Sequence, residues 1–380
     1  KKTLAAVAVL GAFAGSALAA DVQLYGVVDT GLRYTHFDGD AAAAGYDAVD
    51  KFEMKSGQQS GSRFGFKGTE DLGNGLTVGF ILENQFNSDD GSLTDDDHFF
   101  RREASLFLEG GFGKIAMGRI GSINNGVSSW AQFGMLSAFG TSWDYSAQMG
   151  TWAVGAGIWD NMIAYQTPTF AGFTVYAQYG MGSNNNENES SSDRYYALGA
   201  KYANGPLNLY LAVDSINYQT ADLTAGVNAD DIDDSLTVTF GGNYDFEVVK
   251  LFAGAQYYDE AKISTAFGLL DSADYNAQTY AGKFKGWSLG VSASIPAAGG
   301  QVLVGAGYMD AEAADSQKAA KDDELTRWVV SAGYDYPLSK RTNVYGILTY
   351  AQDSLDYTDT AAKDQDPTVF AAMIGLRHKF

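Results

Sequence analysis

Cysteine is absent from the 380 residues, which excludes disulfide scaffolds, thiolate metal sites and cysteine nucleophiles. Histidine is nearly so: His36, His98 and His378 stand far apart and in no metal-ligand spacing, so catalysis has little to stand on and no cofactor is implied. No apolar run beyond residue 19 approaches the roughly 20 residues a helix needs to cross a bilayer, so helical membrane insertion is excluded. Basic residues are scarce, 25 against 46 acidic ones, for a formal net charge of −21. That balance argues against nucleic acid as a partner and against a polybasic membrane-surface role.

What is present is aromatic and glycine-rich. With 45 Gly, 23 Tyr and 22 Phe, the chain does not have the composition of a disordered acidic polymer, which would be poor in aromatics. Lys1 and Lys2 precede an apolar run from Leu4 to Ala14 and then Ala17-Leu18-Ala19, the charged, hydrophobic and small-residue parts of a secretory signal. Residues 1–19 are therefore expected to be a signal peptide and residues 20–380 a single domain. Loss of Lys1 and Lys2 with the leader would lower the net charge from −21 to −23.

The domain reads as strand after strand with a two-residue period. Trp287, Leu289, Val291, Ala293 and Ile295 alternate with Ser288, Gly290, Ser292 and Ser294. Leu207, Leu209, Leu211 and Val213 alternate with Asn208, Tyr210, Ala212 and Asp214, and Trp328, Val330, Ala332 and Tyr334 with Arg327, Val329, Ser331 and Gly333. The last stretch puts Phe370, Ala372, Ile374, Leu376, His378 and Phe380 on one parity and closes on an aromatic residue, as the final strand of an outer-membrane barrel does. Greasy outward and polar inward is the signature of a barrel around water; a soluble sandwich would instead bury the apolar parity.

Sixteen such segments are expected, starting near residues 22, 62, 76, 99, 114, 161, 173, 194, 207, 234, 248, 284, 301, 324, 343 and 368, so the fold class is an all-β, transmembrane, antiparallel 16-stranded β-barrel. Tight turns, such as Asp71 to Gly75 and Ala297 to Gly300, alternate with long polar loops. Four of the five prolines (Pro168, Pro206, Pro296 and Pro337) fall at the turns, where a missing ladder donor does no harm.

Acidic residues gather in the long loops, among them Asp38, Asp40, Asp47 and Asp50, Asp95 to Asp97, Asp230 to Asp234, and Asp322 to Glu324. They read either as a solvated rim or as carboxylates that hold divalent cations against anionic lipopolysaccharide.

The stretch Arg63-Phe64-Gly65-Phe66-Lys67-Gly68-Thr69-Glu70-Asp71-Leu72-Gly73-Asn74-Gly75-Leu76 resembles the trimeric general porins of Gram-negative bacteria. Leu24-Tyr25-Gly26-Val27-Val28-Asp29, Arg102-Glu103-Ala104, Gly111-Phe112-Gly113-Lys114, Gly118-Arg119 and Arg377-His378-Lys379-Phe380 extend the resemblance over the whole domain. It looks most like the neisserial and beta-proteobacterial branch. The resemblance implies an outer-membrane location among lipid and lipopolysaccharide, a homotrimer, and passive diffusion of small hydrophilic solutes and ions. A substrate-specific channel is the alternative.

Parity alone points Arg63 and Lys67 inward, since each charge facing lipid at mid-depth would cost about 2–4 kcal/mol. Arg102, at the position resembling a porin pore arginine, and Arg119 and Arg33 are further pore-lining candidates, and Glu83 is expected inward. The segment from Ile120 to about Trp159 is expected to fold inward as a constriction loop. It contains no Lys or Arg, carries Trp130, Trp143, Trp152 and Trp159, and has Asp144 as its acid ahead of the next strand; that carboxylate, facing arginines, would set a transverse field. Ala164 stands where the branch often has an arginine, so the expectation is weak ion selectivity of undetermined sign.

Overall fold

The computed structural model describes residues 21–38, 48–141, 149–154, 157–182, 192–218, 233–263, 283–316, 323–358 and 364–380. The expected signal peptide, Asp144, Trp143 and parts of the acidic loops lie outside the described residues.

Strands β1 (Gln23–Asp38), β2 (Ala48–Ser56), β3 (Arg63–Gly73), β4 (Leu76–Gln85), β5 (Glu103–Gly110) and β6 (Gly113–Gly121) precede a long loop. Then come β7 (Ala153–Val154), β8 (Ile158–Gln166), β9 (Phe173–Gly180), β10 (Arg194–Asn204), β11 (Leu207–Asn217) and β12 (Leu236–Asp245). The chain finishes with β13 (Lys250–Ile263), β14 (Phe284–Ala297), β15 (Gly300–Ala313), β16 (Glu324–Pro337), β17 (Thr342–Asp356) and β18 (Thr368–Lys379).

Every pairing is antiparallel, and β18 returns to β1 over Val27–Asp38, which closes the sheet. Strand β2 pairs with the Thr30–Asp38 half of β1 and β3 with its Gln23–Val27 half. These two are pieces of one wall strand interrupted at residues 57–62. The two-residue β7 pairs only with Lys262 and Ile263 of β13 and belongs to the long loop. The described strands thus form a sixteen-stranded closed barrel, whose termini share one end with seven short turns.

Turn chemistry explains the tight end. Asn74 and Gly75 both take positive φ, 54° and 75°, the backbone of a two-residue type I′ hairpin, which Asn-Gly supplies with little strain. At the seam, Gly26 and Phe380 exchange both backbone hydrogen bonds at 3.1 Å. A Cβ on Gly26 would press into the Phe380 ring and the Arg63 carbonyl, so the terminal aromatic lies where only glycine leaves room.

Alternation sorts the faces as the sequence indicates. Leu211, Val213, Phe240, Leu251, Leu289, Val291 and Leu348 are exposed on the outer wall, while Tyr210, Ala212, Thr239, Gln256, Ser288 and Thr349 are covered on the inner side. Lipid would meet the first set. What covers the second is largely the long loop. Its described residues lie against the inner wall, with Ile123, Trp130, Phe133, Leu136 and Trp152 packed on Phe107, Met162, Tyr176, Tyr195 and Tyr210. Each such apolar side chain contributes about 1.5–3 kcal/mol by leaving water. Trp159 joins by stacking on Tyr195, ring centroids 5.6 Å apart.

Candidate functional site in the lumen

Polar side chains on the inner parity hold the loop. Glu103 on β5 accepts hydrogen bonds from the Ser129 backbone N–H and hydroxyl at 2.8 and 2.9 Å. Gln178 on β9 accepts from Ile123 N at 2.8 Å and donates to Gly121 O at 3.1 Å. Farther around the wall, Asn124 donates to Asp214 of β11 at 2.8 Å, and Asn243 of β12 donates to Met135 O at 2.8 Å. Ala153 N donates to Gln256 of β13 at 2.8 Å, and Ala138 N to Ser292 of β14 at 2.9 Å. Last, Arg327 of β16 donates to Gly150 O at 3.1 Å while forming a two-pronged ion pair with Asp353, both contacts 2.6 Å. A loop this long lies in place because its backbone finds partners all around the barrel.

Between the loop and the β1–β5 wall remains a space of about 540 Å³. Lys55, Arg63, Arg101 and Arg102 border it on the wall side, and Asn124, Asn125, Gly126, Val127 and Thr141 on the loop side. No carboxylate is among its described lining residues. Glu83 stands just behind, bonded to Arg102 Nε at 2.5 Å and to Arg63 Nε at 3.5 Å. Gln85 Oε1 accepts from Arg102 and Arg101 at 2.8 and 3.1 Å. One carboxylate thus holds two guanidiniums, and both arginines line the space.

Three of the seven expected residues, Arg63, Arg102 and Glu83, therefore meet at one place. Arg33 also takes the inner parity, but both of its prongs are on Glu53, at 2.9 and 2.6 Å, and its side chain is buried. Lys67 faces inward closer to the turn end, its ammonium 5.2 Å from the Tyr25 ring centroid. Arg119 does not join them. It pairs across from Ala104 and falls on the parity of the exposed Ile115 and Met117, opposite that of the buried Ala116 and Ile120. There its guanidinium donates to Arg101 O at 2.9 Å and to Asp160 at 2.5 Å.

Asp160 also contacts His98 at 3.4 Å, and Asp95 contacts His98 at 3.1 Å and Arg101 at 3.8 Å, so this cluster straps the connection between β4 and β5 to the rim. Partial desolvation pushes the Asp95 carboxyl up, but hydrogen bonds from the Asp97 backbone and from His98 outweigh it and hold the carboxyl below its ordinary range.

Lys55 and Arg101 were not among the expected residues. Lys55 carried a parity signal, since Lys51, Glu53 and Lys55 alternate with Phe52 and Met54. Arg101 carried none beyond its place beside Arg102.

The family model of Gram-negative porins matches residues 5–356. An outer membrane porin protein of Bordetella pertussis is 34% identical, with all of both chains covered. Outer membrane porin protein 32 of Delftia acidovorans is 32% identical, over 93% of this chain and 90% of the relative. Among solved structures, an anion-selective porin from Comamonas acidovorans superposes with a TM-score of 0.67 at 26% identity, covering 95% of this chain and all of that one.

Proposed function

The chain belongs to the Gram-negative porin family, an outer-membrane diffusion channel by that membership, and on this premise we propose that its constriction is the space bordered by Lys55, Arg63, Arg101 and Arg102, with a modest preference for anions. The observation that carries the reading is the lining itself: among the described residues, four cations and no carboxylate. A narrow, low-dielectric passage lets those charges act at short range on a partly dehydrated ion, whereas the acidic residues at the rim are screened by salt within a Debye length of about 8 Å. Lys67 extends the positive wall toward the turn end, and Glu83 tempers Arg63 and Arg102 without cancelling them. The anion-selective relative supports the sign.

The working unit in this reading is a homotrimer delivered by a cleaved leader at residues 1–19, passing small hydrophilic solutes and ions without chemical change. Reversal potentials across a planar bilayer in a potassium chloride gradient test it. Chloride should permeate moderately faster than potassium, and Arg63→Gln with Arg102→Gln should move the ratio toward cations. A parent channel that prefers potassium, or a double variant with an unchanged ratio, would overturn the proposal.

A further inference from the structure

The break between β2 and β3 is built with more care than a connecting defect needs. Interrupting a wall strand for six residues forfeits ladder hydrogen bonds, which a barrel in lipid must replace internally. Here the replacement is a polar network centred on Asp29, itself fully buried on the inner parity of β1. Asp29 Oδ2 accepts from Gln59 N and Ser60 N at 2.8 and 2.7 Å, and Oδ1 accepts from the Tyr345 hydroxyl at 2.6 Å. Gly57 N donates to Asp29 O at 2.8 Å, and the Ser62 hydroxyl bonds both the N and O of the same residue at 3.0 Å.

The segment then reaches along the inner wall over three more strands. Gln59 donates to Asp335 of β16 at 2.7 Å and accepts from Asn343 of β17 at 2.8 Å, and Arg377 of β18 donates to the Ser60 hydroxyl at 2.9 Å. Gln58 lies over Gly31, at a spot a Cβ there would occupy. Gly57, Gln59, Ser60, Gly61 and Ser62 all border the same 540 Å³ space as the long loop and the arginines. Arg63 donates back to Gly61 O at 3.0 Å.

We infer that the inward bulge Gly57–Ser62 is a second constriction element, facing the same passage as the long loop and helping to set its size limit, and that Asp29 is the residue that positions it. A buried carboxylate with three donors is costly unless it fixes a geometry, and what it fixes is chain that protrudes into the water path. The inference rests on the conducting lumen described above, so the experiment separates the two.

The cysteine-free background allows a single thiol to be placed at Gly61→Cys, where the atoms nearest an added Cβ belong to the movable ends of Gln85 and Arg102. The conductance of this variant, unmodified, tests the channel and sets the baseline for labelling. Complete labelling with a bulky anionic methanethiosulfonate, checked by mass, should lower single-channel current stepwise. Labelling Leu106→Cys, on the lipid side, should leave the current intact. A fully labelled Gly61→Cys channel with unchanged current would overturn the inference.

Asp29→Ala tests the positioning role. Its folded channels should pass trisaccharides faster relative to monosaccharides, and Asp29→Asn, which keeps an acceptor oxygen, should restore part of the discrimination. A merely structural role would reduce the number of channels and slow all sugars alike, so an unchanged ratio would overturn this assignment.

Discussion

At the scale of single residues, the lumen is organised by which charges are shared and which are spent. Arg33 spends its guanidinium on Glu53, and Arg327 spends its own on Asp353 and Gly150, whereas Arg63 and Arg102 divide Glu83 between them and both line the passage. Arg102→Ala should therefore shift the reversal potential toward cations while Arg119→Ala, on the outer parity, should not; equal shifts would contradict the placement.

Arg327→Ala should be costly in a different way. It strands Asp353 in the wall and frees the loop at Gly150, with a penalty of about 3–5 kcal/mol typical of breaking a buried pair. The expected readout is a lower unfolding temperature together with noisier open-channel current, and a variant matching the parent in both would contradict it. Arg327 was legible as an inward residue from the alternation around Trp328; its role was not, because the partner lies 177 residues away.

Elements explain what the sequence could and could not reveal. Strand β14 announced itself because an apolar outer row, Trp287 to Ile295, alternates with the small or polar Ser288, Gly290, Ser292 and Ser294. The upper half of the second wall strand, β2, was read as part of an acidic loop, since four of the six residues Asp50–Lys55 are charged and the bulge then breaks the period. Arg119 is a different case: alternation along β6 puts it with the exposed Ile115 and Met117, so its place at the end of the strand was a poorer guide to the lumen than the parity count.

The inward fold of the long loop was legible from its aromatics and length, although its anchors, scattered over seven strands, were not. The rim strap between β4 and β5 yields a pH prediction. Because the Asp95 carboxyl is held below its ordinary range, its contribution is full above the unfolded value, about 3.9, and is lost as pH falls through the lower folded value. Cleavage of residues 87–102 by an acid-stable protease should accordingly rise only below about pH 3.9. Onset already between pH 5 and 7 would contradict it.

On the scale of the whole molecule, the net charge of −21 and the basic lining of the passage are opposites that the fold keeps apart. Many of the acids lie in loops at one end, and the cations stand inside the wall, where geometry rather than net charge decides what an ion meets. Closure makes that separation possible: β18 meets β1, the outer row faces lipid, and the inner row encloses water narrowed by a loop from one side and a bulge from another. The most direct test is the swelling of liposomes carrying the refolded mature protein in a series of sugars of rising size. The structure predicts fast entry of monosaccharides, with rates falling steeply as the sugar lengthens. Vesicles that stay sealed to every sugar, or admit all of them at equal rates, would contradict a water-filled, internally constricted barrel.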